Sequence, residues 1–451
     1  MRKVLTMGML MLWAATAEAQ MGTRFPSERK VINDPKTGVE LVFLTSKSGT
    51  GDSKIYQTHN QWTADGRWVI FRSDRVKGEA MAVNEDTGDI VQVTEGGYTG
   101  MLCVARKSMN LYIMRHAAQG SEGAKPRGRE DTGGMEVVEI NLEKLFADSQ
   151  AGRLKKKQAY ERICGVIPAE MCSEGDMALD GSEEFVYFRL DKEYARKYPI
   201  AEQIAPNFGP RNMGAGPGGI GKMDLTTGKA EMVCAVHFKV GHIQGNPWKP
   251  GEVIFCWETG GKAPQRTWIC NADGTGLRPI YRETEHDWVT HEAVISADEL
   301  VIAIIGHRPI NQGEKKEIAG LESFATSNDW GPSGTKEYAT GIAVVNMRTR
   351  ELTLEGQVPG DNFWHVAGSD DGHWVAGDDF ARELWVIDRH TGERTLLTAG
   401  HKTTARDHVH PTFKPDGTEI EIQSAMLSDD GRSMNICIVR MPQQLLNRYK
   451  R

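Results

Sequence analysis

The ten residues WTADGRWVIF (62–71) decide the fold, because a polar Asp-Gly turn leads directly into a run of apolar residues. Glycine supplies the positive φ that a tight turn needs, so Asp-Gly between apolar stretches is a strong signal for a β-hairpin. Related segments, some without the glycine, recur along the chain and make this hairpin one unit of a repeat. The repeats occupy 62–71, 104–113, 177–188, 247–255, 294–302, 368–375 and 413–422.

Most repeats are followed by a second hairpin with a Thr-Gly turn, as in 83–91, 223–230 and 386–395. Two hairpins give four strands, which is one blade of a propeller. The repeats start about 45 or roughly 70 residues apart, against about 40–50 per compact blade. We therefore predict an all-β, seven-bladed β-propeller with four-stranded antiparallel blades. A β-sandwich with turn signals every 8–12 residues is the alternative, and the four-strand period argues against it.

The apolar segment VELVFLT (39–45) precedes the first repeat. We expect it to supply the outer strand of the last blade, which would close the ring and remove an exposed edge. Without a linker or a change in composition, residues 20–451 are predicted to form a single propeller domain.

Residues 1–19 resemble a secretory signal peptide: a basic start, an apolar stretch at 5–16, and the A-x-A cleavage site AEA at 17–19. The apolar stretch is too short to span a bilayer. The sequence thus predicts a periplasmic or secreted protein, with no membrane insertion after the signal is cleaved.

The net charge of −7 gives no electrostatic signature of nucleic-acid binding. An acidic protein can still collect positive groups in a cleft that binds an acidic sugar. The seven cysteines lie in no metal-type CxxC pair. Cys164 and Cys172 could form a local disulfide in an oxidising compartment, or the cysteines are simply small buried apolar residues.

Six histidines each lie a few residues before a hairpin turn, on the segment that becomes the innermost strand of a blade. Alternate residues of that strand face the central channel. Counted back from the turn glycine, three share one position and two lie two residues earlier on the same face; the register of His291 is open by one. A lone histidine is more often structural, but this repetition predicts convergence of His59, His242, His291, His365, His408 and His410.

His408 and His410 form the sharpest element, because two imidazoles at i and i+2 on a strand can reach one divalent ion. His291, from another blade, could complete a three-histidine site with positions open for water or substrate. Imidazole ligands suit Mn, Zn, Ni or Fe. A ligating histidine usually donates its second N–H to a carboxylate or carbonyl, and the candidate carboxylates are Glu292, Asp378, Asp379 and Asp407.

In order along the chain, GH (241–242), THE (290–292), WH (364–365), SDDG (369–372), AGD (376–378) and HVHP (408–411) resemble the motifs of oligogalacturonate lyases. The resemblance is strongest from about 241 to 424. It implies a seven-bladed propeller that cleaves short pectin fragments by β-elimination, with Mn²⁺ bound by His291, His408 and His410, and His242 as the base. The family places an Arg and a Gln ligand where Thr404 and Ala405 stand, and His-Pro-His where this chain has His-Val-His.

The function that follows is metal-dependent β-elimination of oligogalacturonate, an acidic oligosaccharide. Arg211 is expected to act with His242 at the catalytic centre. A lyase for another polyuronate such as ulvan, or a non-catalytic periplasmic propeller that binds a partner, remain alternatives. Polar, glycine-rich insertions at 116–134, 192–221 and 308–336 form either a rim around the substrate or surface decoration. The residues expected to bind substrate are His59, His365, Arg189, Arg308 and Arg406.

Overall fold

The computed structural model describes residues 20–47, 51–117, 134–200, 214–259, 263–283, 287–305, 340–358 and 361–449. Within these ranges the strands form seven antiparallel sheets. Five sheets consist of four consecutive strands side by side, and the other two also include strands from the start of the chain. The predicted seven-bladed β-propeller is therefore confirmed. Each repeat lies at the junction between the first and second strands of one blade.

The bounds of the strands follow the chain. It enters through β1 (Arg24–Phe25), β2 (Lys30–Asn33) and β3 (Glu40–Phe43). Blade I contains β4 (Asp52–Lys54), β5 (Trp68–Ser73), β6 (Ala80–Asn84) and β7 (Ile90–Gln92). Blade II contains β8 (Thr99–Val104), β9 (Asn110–His116), β10 (Met135–Asn141) and β11 (Glu161–Ile167). Blade III contains β12 (Cys172–Leu179), β13 (Phe185–Leu190), β14 (Ala215–Asp224) and β15 (Ala230–Phe238).

The second half of the ring has the same plan. Blade IV contains β16 (Val240–Gly245), β17 (Glu252–Trp257), β18 (Thr267–Asn271) and β19 (Arg278–Pro279). Blade V contains β20 (Val289–Val294), β21 (Glu299–Ile304), β22 (Gly341–Asn346) and β23 (Leu352–Gly356). Blade VI contains β24 (Phe363–Gly368), β25 (Trp374–Asp379), β26 (Leu384–Asp388) and β27 (Arg394–Thr398). Blade VII contains β28 (Thr412–Phe413), β29 (Glu419–Ser424) and β30 (Asn435–Arg440). The helices are α1 (Leu142–Gln150), α2 (Lys192–Ala195), α3 (Gln443–Leu446) and a 3₁₀ turn at Lys157–Ala159.

Blade VII is completed by the start of the chain, as the sequence predicts. Strand β3 pairs antiparallel with β30, so that Leu41 lies opposite Val439 and Phe43 opposite Cys437. Strand β2 continues this sheet on the outside, and β1 adds to the edge of blade I through β7. The first residues of the chain therefore join the last blade to the first.

Apolar side chains fill the space between neighbouring blades. In β5, Val69 and Phe71 belong to the core shared with blade VII, whereas Ile70 belongs to the core shared with blade II. Each of these three side chains is fully buried. Because both faces of an inner blade strand are covered, its sequence is continuously apolar rather than alternating. Similar clusters join the other neighbouring blades and hold the inner strands around the channel.

Three predictions concern segments at the limits of the described residues. The proposed signal peptide at 1–19 and most of the three insertions (118–133, 201–213 and 306–339) lie outside them. The insertions do run between the second and third strands of blades II, III and V.

Cys164 is a buried free thiol, so a Cys164–Cys172 disulfide is not formed here. Within the described part of the chain, every helix is too short or too polar to span a bilayer.

Ring closure through β3 predicts a strong position dependence of one substitution. Val42 is buried in the core between blades VII and I, whereas Val31 on β2 is 46% exposed. Val42→Asp should lower the free energy of unfolding by about 3 kcal/mol or more, because it buries a carboxylate without a partner. Val31→Asp, the matched control, should change it by less than about 1 kcal/mol. Urea unfolding followed by fluorescence measures both, and equal losses would contradict the closure.

Candidate active site

Five histidine rings lie close together in the central channel, and we call them the histidine cluster: His242, His291, His365, His408 and His410. Four of them contact the ring of Tyr56, and the fifth, His408, contacts His365. The ring centres of His365 and His410 are 3.5 Å apart, and those of His291 and His365 are 4.2 Å apart. The rings come from blades IV, V, VI and VII. The predicted convergence of inner-strand histidines is therefore present for these five.

Three of these histidines have an unusual backbone. His242, His291 and His410 have φ values of 49°, 51° and 51°, in the left-handed region that residues other than glycine seldom adopt. In β16 and β20 the pairing register also shifts at the histidine, between Gly241 and Gln244 and between Thr290 and Ala293. Such strain is found at functional sites, where the surrounding fold holds it in place. Here the left-handed backbone directs these three imidazoles away from the positions that a regular strand would give them.

Asp378 orients two rings of the cluster. It is fully buried on β25, and its Oδ2 lies 3.3 Å from Nδ1 of His365 and 3.1 Å from Nδ1 of His408. Desolvation lowers the pKa of His365 to about 3, and the neighbouring His410 adds to the effect. His365 is therefore neutral at ordinary pH. The carboxylate fixes both rings through Nδ1, which is the support that ligating histidines usually have.

Two further rings, those of His291 and His410, are held at Nδ1 by uncharged side chains of blade I. Nδ1 of His410 lies 2.9 Å from Oε1 of Gln57, and Nδ1 of His291 lies 2.7 Å from the hydroxyl of Tyr56. Burial, assisted by nearby positive groups, lowers the pKa of His291 well below its ordinary value. Nε2 of His410 is buried without a hydrogen bond of acceptable geometry, although Oδ2 of Asp407 is 3.0 Å away.

His242 lies in a charged network at the edge of the cluster. Its Nδ1 donates to Oε1 of the fully buried Glu292 at 2.8 Å, and its Nε2 lies 3.6 Å from Glu258. Arg266 Nε donates to the other oxygen of Glu292 at 2.7 Å. Burial would lower the pKa of His242, but Glu292 outweighs it and raises the pKa above the usual 6.5. Burial acts against ionisation of Glu292, yet Arg266 and His242 lower its pKa to about 2.

The other predicted residues lie apart from the histidine cluster or outside the described chain. His59 donates from Nε2 to the carbonyl of Met177 at 2.8 Å, and its Nδ1 lies 2.8 Å from the Thr58 hydroxyl. Arg189 contacts Asp176 at 3.3 Å on blade III, and Arg406 lies 3.7 Å from Asp74 at the surface. Arg211 and Arg308 fall outside the described residues.

Several site residues escape the sequence reasoning. Tyr56, Gln57 and Arg266 contact the histidines from segments without a repeated motif. Tyr56 and Gln57 lie shortly before His59 in the sequence, so the prediction of His59 as a channel residue pointed to the segment that contains them. Arg382, only 8% exposed and with a φ of 65°, donates to the carbonyl of Ala405 at 3.4 Å. It therefore contacts the backbone where the family has its Gln.

The donor atoms present fit a divalent transition metal. In His291, His365, His408 and His410, Nδ1 has a partner, and no group of the described residues is hydrogen-bonded to Nε2. A ring nitrogen that carries no proton has a lone pair for a metal, so an imidazole that donates through Nδ1 can offer Nε2. The donor atoms of His365, Asp378 and His408 all lie within 4.8 Å of one another. The trio of His291, His408 and His410 does not reach that spacing, and His365 lies among its rings.

Comparison with known proteins agrees with the motifs. An oligogalacturonide lyase of Pectobacterium atrosepticum is 22% identical over 249 residues, which cover 50% of this chain and 56% of the relative. The match thus spans about half of that protein. No model of a known protein family matches the chain.

Two solved structures share the fold. One is an oligogalacturonate lyase in complex with manganese, with a TM-score of 0.68 and 17% identity over 95% of this chain and all of the other. The second, an oligogalacturonate lyase from Vibrio parahaemolyticus, has the same TM-score and identity and covers 94% of this chain and all of its own. The resemblance to oligogalacturonate lyases is therefore confirmed in sequence and in fold.

The fit of the histidine cluster to a metal predicts a difference between two histidine pairs. His408→Ala/His410→Ala should abolish stoichiometric metal binding, because it removes two Nε2 donors. The control pair is His373 and His390, whose facing nitrogens are 2.8 Å apart outside the cluster, and its double alanine variant should bind as the wild type does. Elemental analysis of protein equilibrated with Mn²⁺ and then dialysed decides this. Equal metal in both variants would remove the cluster as the site.

Proposed function

We propose that this protein is a metal-dependent lyase that cleaves oligogalacturonate by β-elimination and releases an unsaturated uronate. The observation that carries the proposal is the position of His242, backed by a buried carboxylate, beside neutral imidazoles with available Nε2 atoms. Similarity to oligogalacturonate lyases, one of them a manganese complex, supports the same substrate and metal.

The reaction begins with removal of the proton on C5 of the uronate. That proton is weakly acidic beside an ionised carboxylate, so a base and a positive charge are both required. A divalent cation held by Nε2 atoms of the histidine cluster would neutralise the carboxylate and the charge that develops on deprotonation. The resemblance to oligogalacturonate lyases implies His291, His408 and His410 as its ligands. His365 lies close enough to these rings to join or support the ligand set.

His242 is suited to take the C5 proton at Nε2. Glu292 accepts the hydrogen bond from Nδ1, so it selects the tautomer with a free Nε2 lone pair. The same carboxylate stabilises the imidazolium that forms when the proton arrives. Arg266 holds Glu292 in place by the short contact at its other oxygen. The chain thus supplies a base, its orienting carboxylate and an anchor for that carboxylate.

Replacing the base should affect turnover more than binding. We expect His242→Ala to lower kcat on digalacturonate by about 10²- to 10⁴-fold, the usual contribution of a positioned base. His373→Ala, a surface control, should leave it unchanged. Ultraviolet absorbance of the unsaturated product measures the rate. EDTA should abolish wild-type activity and Mn²⁺ restore it, whereas full activity of His242→Ala would remove this residue from the mechanism.

The dependence of kcat/KM on pH should change when the negative charge of Glu292 is removed. His242 acts as a base only when neutral, so kcat/KM should rise with pH through its pKa, which lies above 6.5. Glu292→Gln removes the negative charge that raises this pKa while Arg266 remains, so the acidic limb should move to lower pH. The Arg266 side chain keeps an uncharged partner in this variant. An acidic limb unmoved by the substitution would mean that another group titrates.

A lyase for a different polyuronate is the second candidate. Ala405 stands where the family has its Gln ligand, and the contact from Arg382 to its carbonyl changes the surroundings of the cluster. Ulvan oligomers tested in the ultraviolet assay separate the two substrates. With residues 1–19 as a signal peptide, we place the activity in the periplasm or outside the cell.

A further inference from the structure

We propose that a cavity beside the histidine cluster binds the uronate next to the reacting sugar, and that Arg72 binds the carboxylate of this second uronate. We call this space the side cavity. The inference rests on the proposed action on acidic oligosaccharides and adds a binding residue that neither the sequence motifs nor the comparisons identify.

The side cavity lies between blades VII and I and has a volume of about 410 Å³. Asp407 and Gln423 form the wall that it shares with the histidine cluster. Oδ2 of Asp407 is 3.0 Å from Nε2 of His410, and Gln423 donates to the carbonyl of His408 at 2.9 Å. A sugar in the side cavity would therefore contact two residues that also contact the histidine cluster, which puts it next to a sugar bound at the histidines.

Arg72 is the exceptional group of this cavity. It lies on β5, and its Nη2 donates to the carbonyl of Gly100 at 3.1 Å. Its Nε is buried and has no hydrogen-bond partner. No carboxylate of the described residues lies within 4.0 Å of its guanidinium. Burial of a guanidinium is costly unless hydrogen bonds compensate the lost hydration. Nη2 has the Gly100 carbonyl and also lies 3.5 Å from Sδ of Met101, but no carboxylate of the described residues neutralises the charge, so an anion in the side cavity would be a favourable partner.

The acids of the side cavity do not meet this need, because each has another partner. Asp52 is paired with Arg75. Glu79 accepts from the backbone N–H groups of Gly96 and Gly97, both at 2.9 Å. Arg72 therefore keeps its charge free for a ligand.

The remaining charged pair of the cavity has a different character. Arg406 and Asp74 are 3.7 Å apart, and their side chains are 57% and 68% exposed. Such a solvated pair contributes little to binding. The two arginines of one cavity thus differ in burial, and Arg72 is the one without a carboxylate partner among the described residues. Its guanidinium suits recognition of a carboxylate.

The test compares an acid with its neutral form. Binding of digalacturonate and of its methyl ester is measured by calorimetry in EDTA, so that bound metal makes no contribution. Wild-type protein should bind the acid about tenfold or more tightly than the ester, as expected for a charge-assisted hydrogen bond. Arg72→Met should lose this preference. Arg24→Met, a control whose guanidinium pairs with Asp89 outside this cavity, should keep it.

Every outcome decides the matter. A preference for the acid that persists in Arg72→Met, or no binding of the acid by the wild type, overturns the assignment. If the melting transition shows that Arg72→Met does not fold, Arg72→Lys replaces it. A preference for the acid reduced about threefold or more supports recognition by the guanidinium, and an unchanged preference opposes it.

Lyase assays on the same samples keep the two proposals apart, because wild-type cleavage without an effect of Arg72 on binding overturns only the proposal for the side cavity. Binding that depends on Arg72 without cleavage overturns only the lyase.

Discussion

The close packing of uncharged imidazoles is the constraint on which the rest of the site depends. His365 lies between His291 and His410, with ring centres 4.2 Å and 3.5 Å away. Protonated rings at these distances would repel one another in a buried channel. Burial lowers the pKa of His291 and His365 and keeps these rings neutral, so their nitrogen lone pairs remain available. His242, outside this stack, has a carboxylate that moves its pKa in the opposite direction.

Two levels of structure hold the rings at such distances. Apolar cores between neighbouring blades fix where each inner strand lies. Left-handed backbone at His242, His291 and His410 then aims the individual side chains. Blades II and III have glycines, Gly100 and Gly175, with positive φ on their inner strands. The inner strands of blades II and III thus bend at a glycine instead of a histidine, and at Gly100 a Cβ would lie 1.8 Å from the carbonyl oxygen of Gly175, so the two backbones pack too closely for a side chain.

The fold was predictable because hairpin turns and apolar runs are local signals that repeat. The closure by β3 followed as well, since an apolar segment before the first repeat suits the missing outer strand of the last blade. The position of His59 was not predictable in the same way: period-two counting grouped it with His365 and His410, yet β4 ends at Lys54 and His59 lies in the turn that follows, where the alternation of a strand does not apply. Tyr56, Gln57 and Arg72 carry no motif, because their roles arise from contacts between blades that are remote in sequence.

The pairing of Leu41 with Val439 has a consequence for how the molecule is made. Strand β3 pairs on one edge with the nearby β2, but its other edge meets β30 only after the six intervening blades. Contacts so distant in sequence slow folding, because a long loop must close before they form. Once formed, they place β3 between β2 and β30, and a chain without β3 would expose the backbone edge of β30 to pairing with other chains. Docking of β3 on β30 is therefore the long-range contact that protects this edge from aggregation.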